Sequence, residues 1–113
     1  MKVTKKWGEE IWVVNTNLYC FKKLILNKGH RCSLHHHQKK DETFYIEKGE
    51  VLMEVGKTKR IMKKGDSVRI KPKVLHRFTG LKKSMIYEVS THHEDEDSYR
   101  KELSGKDEKN NKT

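Results

Sequence analysis

Between residues 11 and 90 the chain never runs far enough without a turn signal to build a helix. It breaks into short runs rich in β-branched and aromatic residues, separated by glycine- or asparagine-containing turns at intervals of roughly ten residues. Ile11–Val14, Leu18–Leu26, Arg31–His37, Thr43–Glu47, Val51–Val55, Lys59–Met62, Ser67–Ile70, His76–Phe78 and Ser84–Val89 read as strands. Asn15-Thr16-Asn17, Lys48-Gly49 and Gly56-Lys57-Thr58 read as turns, and Pro72 interrupts a ladder. Such punctuation predicts an all-β sandwich or barrel. With 113 residues, one domain is expected. Only 33% of residues are hydrophobic and 37% are charged, which suits a closed barrel with a small interior. Residues 1–10 are expected to form an N-terminal edge segment and 11–90 the barrel. Residues 91–113 are expected to be a charged tail, with a short helix over Glu94–Leu103 and disorder over Lys106–Thr113.

The chemistry concentrates between Gly29 and Gly49. His35 and His37 are two apart, so on a strand they share a face. Glu42 follows five residues after His37, far enough for a turn to bring its carboxylate back beside them. Neutral imidazoles and a carboxylate suit a divalent transition metal such as Zn, Mn, Fe, Ni or Co, and three protein ligands leave room for substrate or water. His76 is placed to close the set to four. The bland alternative is that His35-His36-His37 is a surface tract that picks up metal incidentally. The spacing to Glu42, the flanking glycines and His76 favour a built site.

Gly29, His35, His37, Glu42 and Gly49 fall on all five fixed positions of the pattern G-x5-H-x-H-x4-E-x6-G, and the stretch resembles the first motif of the cupin superfamily. The second motif, G-x5-P-x-G-x2-H-x3-N, is present in part. Gly65 and His76 fit it. Lys71 stands where its proline would be, Lys73 where its glycine would be and Gly80 where its asparagine would be. The resemblance runs from about Lys5 to Ser90 and implies a single antiparallel double-stranded β-helix, the jelly-roll or cupin barrel. Within the superfamily, Lys6-Trp7-Gly8-Glu9, the stretch Ser33-Leu34 to Thr43, Leu75-His76-Arg77-Phe78 and Glu88-Val89-Ser90-Thr91 are similar to the phosphomannose-isomerase-like, sugar-handling branch.

That likeness implies a metalloenzyme acting on a small sugar or sugar phosphate, of isomerase or epimerase type. His35, His37, Glu42 and His76 would hold the metal as a Lewis acid. The general base is unknown from sequence. Alternation puts Lys22, Leu24 and Leu26 on one face. If that face is inward, Lys22 binds an anionic or hydroxyl group of the substrate, and the branch often has a basic residue there. Phe44 and Ile46 share the face of Glu42, Phe78 shares that of His76, and all three read as core. Arg77 and His36 point away from the metal, towards an oligomer interface. An Fe(II)-dependent dioxygenase and a non-catalytic ligand-binding cupin are the competing readings. The resemblance also implies a homodimer joined through outer sheets.

The net charge is +10 but uneven. Residues 91–113 carry five Lys/Arg and seven Asp/Glu, net −2; the other 21 basic and nine acidic residues give 1–90 a net +12. A basic domain attracts anions, and a small phosphorylated or carboxylated substrate is one candidate; the bland alternative, which carries more weight, is a lysine-rich solvated surface. The lysines are scattered and no arginine-rich segment is present, so nucleic acid is an unlikely partner. His92 and His93, beside Glu94-Asp95-Glu96-Asp97, read as a solvated tail rather than a second metal site. Cys20 and Cys32 read as reduced packing residues. With no secretory signal and no membrane-length apolar run, a cytoplasmic location without membrane contact is expected.

Overall fold

The computed structural model describes residues 1–106, and they form two antiparallel sheets closed over a common interior. Strand β1 (Lys2–Lys5) is the outer edge of the first sheet, followed in space by β2 (Gly8–Asn15), β3 (Cys20–Leu26), β11 (Ser84–Ser90), β6 (Glu42–Lys48) and β9 (Ser67–Ile70). The second sheet runs β8 (Thr58–Lys63), β7 (Glu50–Val55), β10 (His76–Gly80), then β4 (His30–Arg31) and β5 (Leu34–His37) end to end. Outside them lie β12 (Ser98–Glu102) against β5 and β13 (Gly105–Lys106) against β4. This is the jelly-roll architecture expected of the chain.

Strict alternation builds the interior. Along β3, Cys20, Lys22, Leu24 and Leu26 are all buried, so the face carrying Lys22 is the inward one. Along β6, Glu42, Phe44 and Ile46 turn inward, and along β11, Ser84, Ile86 and Glu88 do. The apolar members gather at one end with Trp7, Val51, Met53, Met62, Ile70 and Phe78. Trp7 meets Phe78 edge to face with ring centroids 5.2 Å apart, and Phe44 meets the same ring at 5.8 Å. The polar members, Lys22, Glu42 and Glu88, occupy the other end.

The structure corrects several boundaries. β2 begins at Gly8 rather than Ile11, and β3 begins at Cys20, because Thr16 holds Leu18 and Tyr19 in a turn through its Oγ1. The expected strand Arg31–His37 is broken at Cys32 and Ser33, where Cys32 Sγ accepts the Phe78 amide at 3.3 Å. The expected helix over Glu94–Leu103 is absent. Asp95–Asp97 form one 3₁₀ turn, and Ser98–Glu102 pair with β5. A free edge beside β5 is a row of unpaired amides and carbonyls, and satisfying it outweighs the weak helical preference of a polar segment. Of the stretch expected to be disordered, Lys106 pairs in β13 and 107–113 lie outside the described residues.

Cys20 and Cys32 are free and buried, and burial pushes the Cys32 thiol up to about 12. A thiol that is neither exposed nor ionised is a poor nucleophile. We expect a chromogenic disulfide reagent at pH 8 to label neither cysteine in the folded protein and both after denaturation.

Candidate metal centre

The three histidines meet because of strand register. β10 lies antiparallel to β5 with His76 opposite His35, and His37 lies one pleat further along the same face. Their rings are 4.3 Å (His35–His76), 4.9 Å (His35–His37) and 5.4 Å (His37–His76) apart. One ring nitrogen from each lies within 4.8 Å of the other two. β6 brings Glu42 from the opposite sheet. Its Oε2 is 3.2 Å from His37 Nε2 and 3.1 Å from His76 Nε2. The three imidazoles named from sequence are therefore brought together, and Glu42 meets two of them, His37 and His76.

The ring tautomers follow from their partners. His35 Nδ1 lies 2.8 Å from the Ser33 carbonyl, His76 Nδ1 3.0 Å from that of Val74, and His37 Nδ1 3.1 Å from that of Asp97. A carbonyl only accepts, so each Nδ1 carries a proton and Nε2 is the nitrogen left to face the cluster. His76 Nε2 and Glu42 Oε2, although close, have no partner in hydrogen-bond geometry among the described residues. Imidazole nitrogens and a carboxylate converge on one point, an arrangement that calls for a shared proton or a metal cation between them. The set fits a divalent transition metal in number, type and tautomer.

The surroundings support that charge pattern. Burial opposes charge on Glu42, but the His37 and His76 contacts together with Lys40 outweigh it and hold the carboxyl well below its usual range. Burial, with His76 and His37 alongside, pulls His35 down to about 3, so its imidazole is neutral at pH 7. Lys40 is 4% exposed, and its Nζ stands 2.9 Å from Glu88, 3.0 Å from His93 Nδ1 and 3.5 Å from Glu42. Burial opposes its charge, but the Glu88 and Glu42 carboxylates outweigh burial and raise it.

Above the cluster lies a cavity of about 90 Å³, reached by Lys22, Glu10, Lys40, Glu88 and His93. Lys22 Nζ sits 4.0 Å over the Trp12 ring and 3.5 Å from Glu10, whose Oε1 also accepts Trp12 Nε1–H at 2.8 Å. Of these, strand alternation in the sequence points to Lys22 alone as a site residue. Glu88 was legible from its phase with Ile86. Lys40, in a loop with no period, carried no signal. His93 was read as solvated; instead its Nε2 meets Asp95 at 2.8 Å, and burial and Lys40 lower its basicity. Arg77 and His36 do face away from the cluster. Arg77, however, turns into the chain itself. It is buried against the Cys32 carbonyl, Glu102 and the Leu103 carbonyl, while His36 stacks on Tyr99.

The departures from the second motif also have an account. Lys73, in the glycine position, adopts φ +74°, the left-handed conformation that glycine takes without strain, and its amide bonds to the His37 carbonyl. Gly80, in the asparagine position, passes so close to β3 that a Cβ would stand 2.6 Å from the Asn27 carbonyl.

A family model described as a cupin domain matches residues 23–90. The chain belongs to the cupin family. Solved cupin-fold structures agree. KdgF from Halomonas sp. is 19% identical, with a TM-score of 0.73 over 78% of this chain and 81% of that one. Streptomyces Pac13, a nucleoside dehydratase, is 10% identical, with a TM-score of 0.78 over 91% of this cupin and 85% of its own chain. The capsular polysaccharide assembling protein CapF from Staphylococcus aureus is 16% identical, with a TM-score of 0.77 over 91% of this cupin and 34% of that chain. Identities this low show a shared fold alone. No curated protein matches the chain. Among the described residues no helix is long and apolar enough to cross a membrane.

Two stability outcomes follow for this cupin. Lys73→Gly is expected to stabilise it by about 1 kcal/mol in denaturant unfolding, by relieving the left-handed backbone. Lys40→Met is expected to destabilise it by about 3 kcal/mol, because Glu88 and Glu42 lose a buried counter-charge.

Proposed function

We propose that this cupin is a metal-dependent enzyme acting on a small anionic sugar or sugar phosphate, by isomerase- or epimerase-type proton transfer. The observation that carries the reading is the convergence of three imidazoles and a carboxylate at the floor of a small polar cavity that also holds buried Lys22. His35, His37, His76 and Glu42 would hold a divalent ion, which would supply Lewis-acid polarisation of substrate oxygens. Lys22 presents its ammonium to the anionic group of the substrate, steadied by the Trp12 face and Glu10. Among the carboxylates lining the cavity, Glu42 belongs to the metal set, Glu88 is bound to Lys40 and Asp95 to His93. Glu10, at the cavity wall beside Lys22 and accepting Trp12 Nε1–H, is our candidate to carry the proton between carbons, as a general base and then a general acid. Phe44 and Phe78 wall the cavity and limit water. Carbohydrate-related chemistry in the neighbours, a nucleoside dehydratase and a capsular polysaccharide assembling protein, is in keeping with a sugar-type ligand.

The outward faces of β3, β11 and β6 carry Phe21, Tyr87 and Tyr45 in one contiguous row, with Val13 and Val89 half exposed beside them. That face is where we place a second copy of the chain in a homodimer. Sedimentation should give twice the chain mass, and Tyr87→Asp should return it to the monomer; a monomeric parent protein would dismiss the pairing.

Elemental analysis of protein purified without affinity tags or chelators is expected to find about one divalent transition metal per chain, and a His76→Ala variant to lose most of it. Zn, Mn, Ni or Co with aldose–ketose turnover supports the isomerase reading, and Glu10→Gln should then lower kcat by roughly 10²-fold or more at unchanged metal content. Iron with oxygen uptake would replace it with the dioxygenase reading. No metal after reloading would leave a ligand-binding barrel.

A further inference from the structure

The match to the cupin family ends at Ser90, yet the chain continues through 91–106 as ordered structure wrapped along the sheet that carries the three histidines. The wrapped segment is tied down along its length. The Asp41 amide donates to Thr91 Oγ1 and the Thr91 amide to the Asp41 carbonyl. Asn15 exchanges two hydrogen bonds with the His93 backbone. β12 then pairs with β5, setting Ser98 opposite His37 and Arg100 opposite His35.

Asp97 is the point of closest engagement. Its neighbours Glu94, Asp95 and Glu96 are exposed, but Asp97 is buried, at 6% exposure. Its carboxylate accepts the amides of Gln38, Lys39 and Lys40 at 3.0–3.2 Å. Those three residues are the link between His37 and Glu42, two members of the candidate metal set. Its carbonyl accepts His37 Nδ1–H. The other two imidazoles are held differently. His35 and His76 each bond to a carbonyl two residues back in their own chain segment, whereas the partner of His37 lies 60 residues away. The orientation of His37, and its spacing to Glu42, are thus fixed from outside the family barrel.

We propose that residues 91–106 are a strap that completes the metal site, with Asp97 as the positioning residue for His37. This rests on the metal reading above for its consequence, but not for its geometry. When the carboxylate is removed, three amides of the 38–40 loop lose their acceptor. The loop relaxes, the Asp97 carbonyl shifts from His37 Nδ1, and the fixed distance from His37 to Glu42 is lost. Partners that orient a ligand in this way commonly change metal affinity by about 10–100-fold.

The test uses the full chain with Asp97→Ala, the isosteric Asp97→Asn and, as a control on the exposed part of the same turn, Glu96→Ala. Two quantities are read: Co²⁺ affinity by chelator competition, with the visible spectrum of the bound ion, and the imidazole nitrogen resonances of the metal-free protein. Asp97→Ala is expected to weaken Co²⁺ at least tenfold and to alter its spectrum. In the metal-free state it should remove the protected Nδ1–H signal of His37 while leaving those of His35 and His76. Asp97→Asn, keeping one acceptor oxygen, should fall between, and Glu96→Ala should match the parent protein. If Asp97→Ala does not fold, the shifts in Asp97→Asn decide. A lowered melting temperature with an unmoved His37 signal would mean a purely structural role and overturn the proposal. Should the parent protein take up no Co²⁺, the metal reading fails and the His37 resonance still decides the strap.

Discussion

A carboxylate with almost no access to water lies at the meeting of the two sheets. A buried charge of this kind costs several kcal/mol unless it is met by partners, and the polar half of the molecule is arranged as successive answers to that cost. Glu42 faces two imidazoles and Lys40. Lys40, itself buried, faces Glu88 and His93. His93 hands the chain of contacts to Asp95 at the surface. The apolar half needs no such accounting. Its interlocked rings around Phe78 close the barrel by ordinary packing and leave the polar half to be organised by charge.

Placing these groups is the work of two sheets rather than of loops. The register of β5 against β10 fixes two imidazoles across a ladder, and β6 delivers the carboxylate from the facing sheet. Strands hold side chains to a narrow set of directions, which is the precision that a multi-ligand site requires. The second layer of control is the carbonyl behind each imidazole, and it is through this layer that the segment beyond the family barrel reaches the site.

What the sequence made legible was whatever alternation and spacing carry. The inward phase of Lys22, Leu24 and Leu26, the common face of His35 and His37, and the return of Glu42 after a short loop are all local consequences of a two-residue period. The break at Cys32 and Ser33 was hidden because it depends on Phe78, 46 residues away, whose amide takes the Cys32 sulfur as acceptor. Asp97 was hidden for a related reason. Within an acidic run it looks like its neighbours, and only the loop amides that it caps distinguish it. The segment Glu94–Leu103 suits a helix when taken alone, but the open edge of β5 offers it more. Lys73 reverses the pattern: the motif position asks for glycine, the backbone adopts glycine's conformation, and the residue tolerates it.

The sixty-residue separation between His37 and its carbonyl partner has a consequence in time. A polypeptide emerges from the ribosome N-terminus first, and domains begin to fold as they emerge. The strands that carry all four candidate ligands are synthesised by residue 80, but Asp97 is not. The barrel itself waits for β11, the strand between β3 and β6, and the His37 contact waits longer still. Contacts of long sequence separation are also the slower ones to form. The contact that orients the His37 ring thus depends on a part of the chain made after every strand that carries a candidate ligand.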